Sequence, residues 1–155
     1  MTFDEEFDQS LSSLRAEFRA GRATLAEVTM LGQDSLEAAY ATALRMLYMN
    51  KDEAAVSLLS VLTVMDCFDV RYWRGLGLAL YKTQRAKLAC TVLDAALAID
   101  EDDVASHCYR AEALIAAGQP SKAKIECDWV IAHGKGRNDA PYAARAKALL
   151  RYTKA

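Results

Sequence analysis

The sequence repeats itself at an interval of 34 residues. Small residues recur in phase at two positions of this interval. Ala43, Gly77 and Ala111 occupy the first position, and Ala55, Ala89 and Ala123 occupy the second. Large apolar residues keep the same register, as in the set Met46, Leu80 and Leu114. A short unit that occurs three times in this way predicts a stack in which each unit covers the apolar face that its neighbour leaves bare.

An interval of this length is typical of the tetratricopeptide repeat, a helix–turn–helix unit. The middle copy has Trp73, Gly77 and Ala89 at the signature spacings of that motif. Small side chains are needed where the two helices touch, because a larger one would overpack the contact. About one residue in five is alanine, the strongest helix former. We therefore predict an all-α fold, an α-solenoid of three tetratricopeptide repeats, in which Trp73 and the six phased small residues are the repeat-packing residues.

Helix-capping signals place the boundaries of the repeats. Residues 34–37 (Asp-Ser-Leu-Glu) have the pattern of a capping box, and residues 138–141 (Asn-Asp-Ala-Pro) have the pattern of a helix start. The predicted organisation begins with an N-terminal helical extension over residues 1–35. Three repeats follow over 36–69, 70–103 and 104–137, and a C-terminal capping helix occupies 138–155.

The N-terminal extension contains an amphipathic pattern that belongs to no repeat. Its apolar residues recur at spacings of four, three and four, at Phe7, Leu11, Leu14 and Phe18, which predicts a helix with one apolar face. Two interpretations of this helix stay open. In one, it packs on the first repeat as a cap; in the other, it joins two copies of the chain as a homodimer or docks a partner.

Residues suited to catalysis or metal binding are sparse. The two histidines, His107 and His133, lack the spacing of a metal-binding pair, and the four cysteines form no C-x-x-C motif. No phosphate-binding glycine loop and no nucleophile motif occurs in the sequence. We therefore predict that the protein is not an enzyme, with no catalytic residue, no metal site and no cofactor.

Charge and hydropathy argue against two classes of partner. The net charge is −2 at pH 7, which removes the broad electrostatic attraction that nucleic acids and anionic membranes need. No apolar stretch is long enough to span a bilayer. A secretory signal begins with basic residues followed by an apolar stretch, whereas the first residues here are acidic, so no secretory signal is predicted. We expect no nucleic-acid partner and no direct membrane insertion.

A repeat stack of this kind offers a concave surface lined by the first helix of each repeat. A surface of mixed tyrosine, leucine and basic residues suits an extended peptide with apolar anchors. Ordinary packing between helices is the competing interpretation of the tyrosines. The predicted peptide-binding residues are Tyr40, Leu44, Leu47, Tyr48, Arg71, Arg74, Leu78, Tyr81, Lys82, Cys108, Glu112 and Ile115.

Four stretches also resemble a known family. They are residues 21–25 (Gly-x-x-Thr-Leu), residues 34–43 (Asp-Ser-Leu-Glu-Ala-Ala-Tyr-x-x-Ala), residues 62–77 (Leu-Thr-Val-Met-Asp-x-x-Asp-x-Arg-x-Trp-x-Gly-Leu-Gly) and residues 111–114 (Ala-Glu-Ala-Leu) with Gly118. On these motifs the chain resembles the class II chaperones of bacterial type III secretion systems, the LcrH/SycD-like family. The resemblance covers about residues 21–137. It departs from the family at Asn50, where a glycine is usual.

The resemblance implies a chaperone of the bacterial cytoplasm that has no ATPase activity and takes part in virulence. Such proteins hold hydrophobic translocator proteins and keep them soluble and ready for export. The groove is then expected to bind an extended segment of the translocator, with Tyr40 at a matching family position. Two alternatives stay open, a generic tetratricopeptide adaptor and a co-regulator of a transcription activator.

Overall fold

The computed structural model describes residues 12–13, 16–17, 19–21, 23–29 and 31–154. Its helices after residue 23 are α1 Leu25–Val28, α2 Gln33–Tyr48, α3 Asp52–Met65, α4 Val70–Lys82, α5 Ala86–Ile99, α6 Val104–Ala116, α7 Pro120–His133 and α8 Ala140–Leu149, followed by a 3₁₀ turn, Leu150–Tyr152. Within these ranges the chain contains no strand, which confirms the all-α prediction. Phe7, Leu11, Leu14 and Phe18 lie outside the described residues.

The helices form antiparallel pairs that stack in one direction. Consecutive helices pack against each other from α2 to α8, and each first helix also packs on the next first helix, α2 on α4 and α4 on α6. Helix α8 packs on α6 and α7, so it occupies the place that the first helix of a fourth repeat would take. No helix in the described part of the chain combines the length and the apolar character needed to cross a membrane.

The turn inside each pair has the same backbone conformation in all three copies. Asn50, Gln84 and Gly118, which are 34 residues apart, have positive φ angles of 56°, 65° and 74°. In each turn the next residue donates a backbone hydrogen bond to a carbonyl in the last turn of the first helix, over 2.8–2.9 Å; these bonds are Lys51–Met46, Arg85–Leu80 and Gln119–Leu114. This helix-ending motif satisfies carbonyls that the helix leaves free, and asparagine accepts the left-handed conformation more readily than most residues.

Side-chain caps begin two of the first helices. The carboxylate of Asp69 accepts a hydrogen bond from the backbone N–H of Arg71, and that of Asp103 accepts one from Ser106. The capping box predicted at residues 34–37 is wrong. Helix α2 already begins at Gln33 after an extended Gly32, and no side chain caps it.

The core is divided into two clusters of buried residues. The larger cluster runs from α1 to α5 and includes Ala113 of α6. The smaller one joins α6, α7 and α8; its buried members are Val104, Cys108, Ala111, Cys127, Val130 and Ala146. Helix α6 therefore contributes to both clusters, and the two meet along it.

The phased small residues lie inside these clusters or at their helix contacts. The five phased alanines are all fully buried, and Gly77 is also buried. A Cβ atom added to Gly77 would lie 2.5 Å from Cγ of Leu93, so the close approach of α4 and α5 depends on the missing side chain. Trp73 is only half-buried, and its indole N–H donates to the carbonyl of Cys67 over 2.9 Å.

Candidate peptide-binding groove

The first helices α2, α4 and α6, continued by α8, form a single row in which each helix contacts the next. Tyr40 on α2 marks the face of this row. Its ring centroid lies 5.4 Å from that of Tyr72, and the guanidinium carbon of Arg71 lies 5.2 Å from its centroid. One and two helical turns further, Leu44 is 44% exposed and Tyr48 is 89% exposed. Half-buried Leu78 and Tyr81 follow on α4, and half-buried Ile115 lies on α6.

The basic residues of the groove are held by acids of neighbouring helices. Arg71 donates to Glu37 of the preceding repeat and to Asp69 at its own helix start, at 2.5 Å and 2.6 Å. The hydrogen bonds that Arg71 donates to Asp69 and Glu37 raise the pKa of Arg71, and the bond from Arg71 lowers the pKa of Glu37. Arg74 pairs with Asp103 of the next repeat at 2.7 Å.

Lys82 is held in the same way at the end of α4. Its ammonium group lies 2.7 Å from the carboxylate of Asp52 and donates to the carbonyl of Leu47 over 3.0 Å. Arg71, Arg74 and Lys82 therefore join one repeat to the next, and each of them already has an acidic partner. Beside these ion pairs, the row presents apolar and aromatic side chains, which are exposed at Leu44 and Tyr48 and half-buried at Tyr40, Leu78, Tyr81 and Ile115.

Three predicted groove residues lie deeper than the sequence indicates. Cys108 is fully buried in the smaller core cluster, where burial raises the pKa of its thiol to about 12. We remove it from the peptide-contacting set, because α8 packs over its side of α6. Leu47 is 8% exposed and belongs to the larger core cluster. Glu112 is 4% exposed, and both its oxygens accept hydrogen bonds from Arg145 of α8.

A pocket of about 270 Å³ opens at the C-terminal end of this row. It is lined by Tyr81, Glu112, Ile115, Ala116, Leu149 and Tyr152. Leu149 and Tyr152 were not among the residues predicted from the sequence. They lie beyond the last repeat, where the 34-residue register gives no position to compare.

A second depression, of about 480 Å³, adjoins this pocket and shares Ala116 with it. It is formed mainly by residues 84–88, which are the turn inside the second repeat and the start of α5, together with Ala116 and Ala117. Arg85 on its edge pairs with Glu53 of the preceding repeat. This depression contains none of the predicted groove residues.

His107 forms the centre of a polar cluster on the other side of α6. One ring nitrogen lies 2.6 Å from the carboxylate of Glu126, and the other lies 2.9 Å from the carbonyl of Glu101. Its ring stacks on Trp129 with centroids 3.7 Å apart. Because both ring nitrogens face acceptors, the doubly protonated imidazolium satisfies this site best. His107 thus packs on Trp129 of α7 and bonds both to α7 and to the turn that precedes its own helix.

The charge of His107 predicts a pH dependence of stability. Burial alone would lower its pKa, and Arg110 acts in the same direction, but the bonds to Glu126 and to the Glu101 carbonyl outweigh them, so the pKa is raised above its ordinary value of 6.5. A raised folded-state pKa means that the stabilisation is complete below the unfolded-state value and is lost as pH rises through the folded-state value. We expect the melting temperature of the wild type to exceed that of His107→Gln most at pH 6. The gap should narrow steadily above pH 7, and a constant gap from pH 6 to pH 9 would contradict this charge assignment.

Comparisons with known proteins show that this architecture also occurs in proteins of known structure. No protein-family model matches the sequence, and no curated protein sequence matches it significantly. Among solved structures, a chain of a T3SS complex from Aeromonas hydrophila has a TM-score of 0.83 and 23% identity, over 92% of this chain and 95% of that one. The type III secretion translocator chaperone SycD of Yersinia enterocolitica has a TM-score of 0.77 and 22% identity, over 83% and 97%.

A third similar structure contains a bound partner. PcrH of Pseudomonas aeruginosa, in complex with the chaperone binding region of PopD, has a TM-score of 0.74 and 23% identity, over 79% of this chain and 93% of that one. These identities are low, while the shared fold covers most of each chain. The chain therefore has the all-helical repeat fold of the translocator chaperone SycD and of PcrH.

Proposed function

We propose that this protein is a type III secretion chaperone that holds an extended segment of a hydrophobic translocator protein in the groove formed by its first helices. The observation that carries the proposal is the shared fold with SycD and with PcrH, which has been solved with the chaperone binding region of its translocator. The sequence motifs at residues 34–43 and 62–77 support the same family. The proposed place of action is the bacterial cytoplasm, and the proposed activity involves no catalysis.

The groove suits this role because of what its surface leaves open. Leu44 and Tyr48 are exposed on α2, while Arg71, Arg74 and Lys82 are engaged in ion pairs between repeats. Apolar surface contributes affinity in proportion to the area that binding removes from water. An extended client segment that covers this surface is itself shielded from aggregation and from premature contact with membranes. Binding a short segment leaves the rest of the client unfolded, as export requires.

The domain organisation carries two further parts of the proposal. The three repeats over 36–69, 70–103 and 104–137 form the binding unit, and the segment 138–155 closes the stack. The extension over 1–35, with its apolar residues at Phe7, Leu11, Leu14 and Phe18, is proposed to join two copies of the chain. One structure of SycD is an alternative dimer, which supports this part of the proposal.

Co-expression tests the proposed function directly. The chain is produced together with each hydrophobic translocator protein encoded in the same genome, and the products are analysed by size-exclusion chromatography with light scattering. We expect a stable complex with a client that is insoluble when expressed alone. The free chain analysed in the same way reports its oligomeric state. If every translocator remains insoluble and unbound, the proposal is wrong, and the fold is then better explained as a generic adaptor.

A further inference from the structure

We propose that the pocket between Tyr81, Ile115, Leu149 and Tyr152, here called the end pocket, binds one large uncharged side chain of the client and fixes the register of the bound segment. This inference rests on the proposed function and adds a binding site for one anchor. Tyr152 lies on the 3₁₀ turn that follows α8. This turn therefore belongs to the binding surface as well as to the segment that closes the stack. Tyr152 is 54% exposed, and Arg151 lies over its ring with the guanidinium carbon 4.6 Å from the centroid, so part of the ring remains open to a ligand.

The chemistry of the end pocket selects against charge. Its walls are two tyrosine rings, one isoleucine, one leucine and Ala116. Its single carboxylate, Glu112, is 4% exposed and is already bound at both oxygens by Arg145, with 2.9 Å between Nη2 and Oε2. A lysine or arginine of a client would therefore have to compete with Arg145 for that carboxylate. An aspartate or glutamate would have to draw Arg145 away from Glu112 or Arg151 away from the Tyr152 ring, and without one of them it would lose hydration with no partner.

The size of the end pocket fits a side chain. Its volume of about 270 Å³ lies below the range of roughly 300–1,000 Å³ that is typical of sites for whole small molecules. It is also continuous with the groove, since Tyr81 on α4 and Ile115 on α6 belong to both. A peptide that lies across the row of first helices therefore reaches the end pocket without changing direction.

The row of helices also predicts the spacing of anchors in the client. Packed helices lie about 8–10 Å apart, so the end pocket, between α6 and α8, lies on the order of 20–25 Å from the face of α2. An extended peptide rises about 3.3 Å per residue. The side chain held in the end pocket is then roughly six to eight residues away from the one that contacts Leu44.

Site-specific photo-crosslinking tests this inference in the full chain. A benzoylphenylalanine is placed at position 152, at position 44 or at position 64, and each protein is irradiated with its co-expressed translocator. Position 64 is the control, because Val64 is 63% exposed on α3, outside the row of first helices. We expect crosslinks from positions 152 and 44 to one client segment, roughly six to eight residues apart, and none from position 64.

The outcomes separate the end pocket from the proposed function. A client that co-purifies and crosslinks at position 44 but not at position 152 overturns the end pocket and leaves the chaperone function standing. A client that never co-purifies overturns the proposed function itself. Crosslinks from position 152 to many unrelated client segments would also overturn the inference, because a register-fixing pocket holds one segment.

A binding measurement tests how much of the affinity for the client segment comes from the end pocket. Tiled peptides from the crosslinked segment are titrated into the wild type, into Tyr152→Ala combined with Ile115→Ala, and into Ile125→Ala as the control. Ile125 is 68% exposed on α7 and lines no pocket described above. We expect the double variant to bind on the order of tenfold to a hundredfold more weakly and the control to bind as the wild type does. Equal affinities of all three proteins would overturn the inference.

Discussion

Gly77→Ala is expected to destabilise the protein, although alanine is the better helix former. Helix propensity alone would favour the substitution by about 1 kcal/mol. The added Cβ, however, would lie 2.5 Å from Cγ and 2.7 Å from Cδ2 of Leu93, a fully buried side chain. Overpacking of this kind costs roughly 1–3 kcal/mol, or about 2–4 °C in melting temperature for each kcal/mol in a chain of this size. Thermal unfolding followed by circular dichroism measures the change.

The matched control is Gly75→Ala, two residues earlier in the same helix. A Cβ at Gly75 would meet Cδ2 of Leu59 at 3.1 Å and Cδ1 at 3.5 Å, contacts that the end of a leucine side chain relieves by a small shift. The gain in helix propensity is the same at both positions. We therefore expect Gly75→Ala to leave the melting temperature close to that of the wild type. Equal losses at both glycines would show that packing between α4 and α5 is not the reason for Gly77.

Leu44→Glu is expected to abolish or strongly reduce client binding. Leu44 is 44% exposed on the groove face of α2, so the substitution adds no charge to the core and should leave the fold intact. In the complex, the new carboxylate would be buried against an apolar segment without a partner, and such burial is costly. Loss of a central apolar contact together with this penalty predicts binding at least a hundredfold weaker, as measured by titration with the client segment.

The companion variant is Val64→Glu, which introduces the same change at an exposed apolar residue of α3. Val64 lies outside the row of first helices, so client affinity should be unchanged. Far-ultraviolet circular dichroism checks that both variants keep the helicity of the wild type. Should Val64→Glu weaken binding as much as Leu44→Glu does, the client would have to contact the outer helices, and the groove assignment would be wrong.

The sequence predicts the fold well because its main determinant is local and periodic. The small residues at Ala43, Gly77 and Ala111 recur because every repeat has the same close contact between helices. Asn50 and Gln84 take the backbone conformation of Gly118, which shows that the turn is imposed by its position in the repeat rather than by glycine. The pattern at residues 34–37 predicts the wrong start for α2, because this helix begins after an extended Gly32 and has no side-chain cap.

The groove is predicted less completely, and the misses have physical reasons. Cys108 occupies a groove position of the repeat, but α8 covers it, and no register exists for a helix outside the repeats. Tyr152 and Leu149 are not predicted as groove residues for the same reason, because they reach the end pocket through the packing of α8 on α6. Glu37 and Arg71, which pair in the groove, are separated by the 34-residue interval itself, so the sequence could have revealed this contact.

The division of the core into two clusters has a consequence for how the chain tolerates substitution. Helix α6 contributes Ala113 to the larger cluster and Cys108 and Ala111 to the smaller one. A substitution on the buried face of α6 therefore disturbs both clusters, because the same helix is a wall of each. A substitution on α8 disturbs directly only the smaller cluster, to which Ala146 belongs.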